Sequence, residues 1–174
     1  MIVILHNIRS LHNVGSIFRT ADAVRVEKIY LCGITPAPVD AFGRPRPQLT
    51  KVSLGAEKYI KWDASARSAR ATILLLERLK GEGYQIFAIE QSKKSIPYFK
   101  LKTKNLKPKT VLVLGNEISG LPKSILNKSD KILEIPMKGV MVRQAHHPRH
   151  SSRGKESLNV AVAFGIVAFH LKHD

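Results

Sequence analysis

The chain has 174 residues, enough for one well-buried domain that needs no disulfide or metal staple. Lys and Arg total 29 against 13 Asp and Glu, a net charge of +16 that points first to a polyanion such as nucleic acid, with solubility or a membrane surface as the plainer readings. The only cysteine, Cys32, sits in the apolar run Ile29-Tyr30-Leu31-Cys32, which argues against a disulfide scaffold and for a buried strand residue in a reducing, cytoplasmic setting.

The amino end, Met1-Ile2-Val3-Ile4-Leu5, carries no basic leader and reads as a first strand. Further β-branched runs predict strands at 28–32, 85–89, 111–114 and 131–135, separated by helical patterns. This alternation predicts an α/β domain with a mostly parallel sheet spanning the whole chain, 1–174. The first helix is expected over 14–24, with Asn13 in a capping position. A long loop follows over 33–50, where Pro36, Pro38, Pro45 and Pro47 fall; Arg44 and Arg46 within it are placed for phosphate.

The second helix is expected over 65–80, with Ala66, Ala69, Ile73, Leu76 and Leu79 on one buried face. The stretch 92–109 sets Lys93, Lys94, Lys100, Lys102, Lys104, Lys107 and Lys109 around Tyr98 and Phe99. Lysines interleaved with aromatics suit a surface that tracks an RNA backbone and stacks an unpaired base; a solvated connection with two anchoring rings fits equally. The last helix, over 158–171, is apolar on nearly every side, as expected of one covered by the sheet and by a second subunit. It is too short to span a bilayer and contains Gly165 and His170, so a membrane role is not expected.

Three local patterns carry chemistry. Asn7, Asn13, Gly15, Arg19 and Thr20 gather at the start of the first helix, where free backbone N–H groups suit an anion. Taken alone, the two asparagines read as turn and cap residues and Arg19 as a surface residue. Leu114-Gly115-Asn116-Glu117, with Gly120-Leu121 following, takes a buried strand straight into a polar turn, the place where open α/β sheets bind ligands. Ile135-Pro136-Met137 offers an apolar surface for a flat ring, and Ser157 and Asn159 open the last helix, Ser157 reading by itself as a cap.

In this order and at these separations, the three patterns resemble the motifs of the TrmH-type SPOUT RNA 2′-O-ribose methyltransferases over nearly the whole chain. The resemblance implies a deep trefoil knot in the carboxyl-terminal part, which general topology rules would not suggest. It also implies S-adenosylmethionine as cofactor, held by Ile89, Gly115, Ile135, Met137, Ser157 and Leu158. Asn13, Arg19, Glu117, Ser157 and Asn159 are the catalytic set it implies, and a homodimer the assembly, with pockets completed across the subunit interface. The substrate it implies is RNA, tRNA ahead of rRNA, because the chain has no room for the separate amino-terminal RNA-binding domain of many rRNA-directed relatives. A guanidinium with a pKa above ~12 is a poor general base, so Arg19 is expected to clamp a phosphate and polarise the ribose hydroxyl, with Arg44 and Arg46 adding RNA contacts.

Two departures from the family pattern stand out. Arg25 occupies a position where relatives usually carry glycine, at a helix end. Residues 140–153 form an insert: with them excised, Ile135-Pro136-Met137-Lys138-Gly139 runs directly into Gly154-Lys155-Glu156-Ser157-Leu158-Asn159 and no motif residue is lost. His146, His147 and His150 within the insert have neither a cysteine nor an acid beside them, so no metal site is expected. The competing expectation is a catalytically silent RNA-binding protein whose cofactor loop the insert has disrupted. A nucleotide-binding enzyme of another kind is disfavoured, because neither a Gly-x-Gly-x-x-Gly nor a P-loop pattern is present.

Overall fold

A computed structural model describes residues 1–101, 109–137 and 158–173. Its elements in chain order are β1 (Ile2–His6), α1 (Leu11–Ala23), β2 (Lys28–Cys32), α2 (Pro47–Ser53), β3 (Lys61–Asp63), α3 (Ala69–Gly81), β4 (Gln85–Ile89), β5 (Ile96–Pro97), β6 (Thr110–Leu114), α4 (Lys123–Leu126), β7 (Lys131–Glu134) and α5 (Val160–His173). The strands form a seven-stranded sheet in the order β3-β2-β1-β6-β4-β7-β5, every neighbouring pair parallel. The expected α/β architecture is therefore present. The connection from β7 to α5, on which the implied knotted threading depends, lies outside the described residues, as do the insert at 140–153 with its three histidines, Ser157, Lys102, Lys104 and Lys107.

Both faces of the sheet are covered, as parallel strands require, and alternate residues divide between them. Val3, Leu5, Ile29, Leu31, Leu112 and Leu114 face α1 and α5, where Val14, Ile17, Phe18, Phe164 and Val167 complete one core. Ile2, Ile4, Tyr30, Cys32, Val111 and Val113 face α3, where Leu75, Leu76 and Leu79 complete the other. Each large side chain so buried contributes roughly 1.5–3 kcal/mol of transfer free energy. Cys32 is a plain core residue whose thiol burial pushes up to about 11.

Several boundaries differ from expectation, each for a local reason. Helix α1 begins at Leu11 because the Ser10 hydroxyl accepts from the Asn13 N–H at 3.2 Å. Ser10 is the cap, and Asn13 lies within the first turn with its side chain free for other work. Gly15 is consequently inside the helix; a Cβ there would lie 2.6 Å from the Leu49 carbonyl oxygen, so this glycine lets α2 cross α1. The proline-rich stretch is a loop only as far as Arg46, since Pro47, with its φ preset, starts α2.

Helix α3 starts after Ser68, which caps it through the Ala71 N–H at 3.1 Å. Its buried line is Thr72, Leu75, Leu76 and Leu79; Ala69 is exposed, Ile73 half-buried, and Ala66 is buried ahead of the helix. The short strands β3 and β5 gave no readable run. In 92–101, Tyr98 is an anchor: its ring meets His170 of α5 edge-on at 5.1 Å, while Phe99 stays largely exposed.

Candidate active site

Parallel pairing in register brings the motif residues together. Leu5 of β1 and Ile89 of β4 both pair with Leu114 of β6, and Ile89 also pairs with Leu133 of β7. The four strands therefore end level, and Asn7, Glu90, Gly115 and Ile135 emerge side by side at their carboxyl ends. In this sheet the chain runs outward from β1 through β2 and β3, then returns to the other side of β1, so these ends form the crevice where such folds bind ligands.

A cleft of about 260 Å³ opens there. The expected cofactor residues Ile89, Gly115, Ile135, Met137 and Leu158 all line it, together with Glu90, Asn116, Glu117 and Glu134. Gly115 has to be glycine, since a Cβ would fall 2.6 Å from the Gly120 carbonyl carbon and 2.7 Å from the Leu121 nitrogen. The turn after it is tied by Asn116, whose Oδ1 accepts from the N–H groups of Ile118 at 2.8 Å and Ser119 at 3.1 Å. Its Nδ2 donates to the Asn7 carbonyl at 2.8 Å, locking the first motif to the second.

The expected catalytic residues form a hydrogen-bonded chain across three elements. Asn159, just ahead of α5, donates through Nδ2 to Asn13 Oδ1 at 3.0 Å, and Asn13 donates through Nδ2 to Glu117 Oε1 at 2.9 Å. Glu117 also accepts from the backbone N–H of Arg9 at 3.2 Å and of Ser10 at 3.4 Å. The anion at the start of α1 is therefore this protein's own carboxylate, where the sequence suggested a substrate phosphate. Burial pushes the Glu117 carboxyl up, but the hydrogen bonds from Asn13 and from the backbone outweigh it and hold the group below its usual range. Glu117 stays ionised and engaged at both oxygens.

Arg19 stands apart. It is exposed on α1, and no hydrogen bond or ion pair ties it to the Asn159–Asn13–Glu117 chain among the described residues. Arg44 and Arg46 are not among the described residues that line the cleft. Arg44 closes a tight turn in which Asp40 Oδ1 accepts from the N–H groups of Phe42 at 2.8 Å and Arg44 at 2.9 Å, and lies over the exposed Phe42 ring at 5.6 Å, while Arg46 donates through Nε to the Val39 carbonyl at 3.3 Å. Among the described residues no cluster of metal-ligating side chains occurs, and no helix is long and apolar enough to cross a membrane.

Two functional features were missed from sequence. Glu90 accepts from the Leu121 N–H at 2.7 Å and from the Gln91 N–H at 3.0 Å, and so braces the turn that bears Glu117. An acid directly after a central parallel strand was the available signal. His6 is the other. It is buried, and its Nε2 lies 3.2 Å from Asn7 Nδ2 while its Nδ1 lies 3.2 Å from the Thr72 hydroxyl. Burial pushes its pKa down, and Asn7 beside it has the left-handed φ of 59°.

The family model for the SpoU rRNA methylase family matches residues 1–142, so its match ends inside the insert. The chain belongs to that family. It is 31% identical over 169 residues to a tRNA (guanosine(18)-2′-O)-methyltransferase of Aquifex aeolicus, covering 97% of this chain and 67% of the relative. A 23S rRNA (guanosine-2′-O-)-methyltransferase of Neisseria meningitidis serogroup B is 29% identical over 167 residues, covering 96% of this chain and 56% of that protein. The crystal structure of the A. aeolicus TrmH/SpoU tRNA modifying enzyme superposes with a TM-score of 0.74 at 29% identity, over 98% of this chain and 73% of the other. An AdoMet-bound rRNA methyltransferase from Sinorhizobium meliloti gives 0.74 at 27% identity, over 98% and 54%. The chain thus spans little more than half to two thirds of the length of the curated relatives it matches.

Proposed function

We propose that this protein transfers methyl from S-adenosylmethionine to a ribose 2′-hydroxyl of RNA, with tRNA as the first candidate substrate and rRNA the second. One observation carries the cofactor reading. In a protein of net charge +16, the described residues that line the cleft include the acids Glu90, Glu117 and Glu134 and no lysine or arginine. Acidic walls around apolar Ile89, Leu114, Ile135 and Met137 fit a ligand that joins a flat ring to a cationic sulfonium and ammonium. When bound, S-adenosylmethionine supplies the electrophilic methyl group.

The residues would divide the remaining work. Ile89, Gly115, Ile135, Met137 and Leu158 hold the cofactor, and Ser157, outside the described residues, belongs to the same proposed set with Asn159. A ribose hydroxyl taking up that methyl group would give its proton to solvent water. Glu117, with both oxygens occupied, is suited to orient Asn13 and the entry of α1 rather than to take that proton. Asn13 and Asn159 present amide groups beside the cleft for the ribose. Arg19, permanently cationic, binds the adjacent phosphate and lowers the cost of negative charge on the 2′ oxygen; Arg44 and Arg46 add RNA contacts further out. In this reading the protein works as a homodimer, with the exposed Arg19 directed at the site of the second copy.

Nucleoside mass spectrometry after incubation of purified protein with unmodified tRNA, rRNA and isotope-labelled S-adenosylmethionine tests this. Labelled 2′-O-methylnucleosides are expected, from tRNA first. Cofactor binding without label in ribose would leave a silent RNA-binding protein, and absence of cofactor binding would overturn the reading altogether.

A further inference from the structure

A second groove, of about 310 Å³, lies beside the cleft and is lined by Asn7, Arg9, Ile34, Asn116, Ile118 and Ser119. Asn116, Ile118 and Ser119 line both cavities, so the two are separated only by the Gly-Asn-Glu turn. Its apolar walls are isoleucines held out into solvent: Ile118 is 84% exposed and Ile34 61%. Neither exposure is slack. Asn7 Oδ1 accepts from the Ile34 N–H at 3.1 Å, Asn116 Oδ1 accepts from the Ile118 N–H at 2.8 Å, and the two asparagines are joined through Asn116 Nδ2 and the Asn7 carbonyl at 2.8 Å. Gly33, with φ +62°, is required for this, because a Cβ there would lie 2.0 Å from Asn7 Oδ1. Two apolar jaws are thus fixed to one rigid hinge before any ligand arrives.

Arg9 supplies the polar end. Its backbone N–H is committed to Glu117 Oε2 at 3.2 Å, while among the described residues its guanidinium has no hydrogen-bond or ion-pair partner. A flat, heteroaromatic ligand fits between aliphatic jaws, and a guanidinium fork matches a pair of adjacent acceptors on its edge. Resting on the methyl-transfer reading above, we infer that this groove seats the base of the unpaired target nucleotide, and that Arg9 selects guanine by donating to O6 and N7. Because Asn116, Ile118 and Ser119 border both the groove and the cleft, a base seated here would leave its ribose on the cleft side of the turn, where Glu117 holds Asn13.

The test uses parent, Arg9→Ala, Arg9→Lys and Ile118→Ala proteins with tRNA transcripts made from guanosine or from 7-deazaguanosine, which lacks N7. Arg9→Ala keeps the backbone N–H, so the Glu117 network and S-adenosylmethionine affinity by calorimetry should be unchanged. The parent should lose roughly tenfold in KM on the 7-deaza transcript with kcat little altered, the worth of one bond of the fork. Arg9→Ala and Arg9→Lys should have a raised KM on the guanosine transcript and no discrimination between the two RNAs, because lysine restores charge but not the fork. Ile118→Ala should raise KM on both RNAs while keeping the discrimination.

Discrimination in Arg9→Ala equal to the parent's, or none in the parent, overturns the seat; uniform weakening would assign Arg9 to a phosphate instead. Filter-binding affinities for the same protein and RNA pairs carry the same comparison if no methyl is transferred. Failure of the methyl-transfer reading is thereby told apart from failure of the seat.

Discussion

His6 and Glu117 show how much of the site depends on proton inventory. With Asn7 Nδ2 donating to His6 Nε2, the imidazole carries its proton on Nδ1 and donates to Thr72, whose hydroxyl donates on to the Ser68 carbonyl at 3.0 Å. Every group in this relay is satisfied only while His6 is neutral. A proton on Nε2 would set donor against donor and release Asn7 from its left-handed conformation. Folded His6 has a pKa below the ordinary 6.5, so the unfolded chain binds the extra proton first. The stability it contributes is complete above about 6.5 and is lost as pH falls through its lowered folded value.

Glu117, also lowered, behaves the same way further down, losing its contribution as pH falls below the usual carboxylate range. The expected result is an unfolding free energy from urea titrations that drops from pH 7 to pH 5, with at most about 1.4 kcal/mol per pH unit from one group, and a flatter profile over that interval in His6→Gln. An unchanged slope in the variant would remove His6 from the linkage. This relay was not legible from sequence, because nothing in the spacing of His6, Ser68 and Thr72 says that a strand end and a helix start meet.

At the scale of elements, the sequence was most informative where periodicity was strong and least where single side chains end or tie elements. The five predicted strands are all present; β1 and β6 are apolar runs buried on both faces, while β7 keeps only Leu133 buried. Asn13 fits the cap position by residue type, yet Ser10 outcompetes it and frees the asparagine for Glu117 and Asn159. Arg25, the residue noted in place of a glycine, explains itself in the same terms. Helix α1 ends at Ala23 with Val24 as its cap, and Arg25 follows with φ 54°, exposed, its N–H donating to the Asp22 carbonyl at 3.0 Å.

That is the left-handed position where a Cβ crowds the following carbonyl and glycine is favoured. Arg25→Gly should relieve the strain without removing a side-chain contact, and the gain is offset in part by a more flexible unfolded chain. A net stabilisation of about 0.5–1 kcal/mol is expected, read as a raised urea midpoint with unchanged slope. A lower midpoint would show that the arginine side chain holds an interaction of greater worth.

At the scale of the whole molecule, one fact remains unaccounted for within a single copy. Arg19 belongs to the proposed catalytic set but is exposed on α1, apart from the Asn159–Asn13–Glu117 chain. Helix α5, expected to be covered all round, buries Phe164, Val167 and Ala168 against the sheet and α1 and leaves Val162 50% and Phe169 44% exposed. Exposed apolar side chains on α5, which packs on the helix that carries Arg19, are what a two-fold dimer would use, each copy sending Arg19 to the other's cleft. The arrangement makes a prediction that a monomeric site cannot share. Arg19→Ala and Glu117→Ala should each abolish methyl transfer as pure proteins. Mixed and allowed to exchange subunits, they form heterodimers in which both defects fall in one site and the other is intact. An equal mixture should therefore recover up to about a quarter of parent activity. If Arg19 and Glu117 serve the same copy's site, every site in every dimer keeps one defect and the mixture stays inactive.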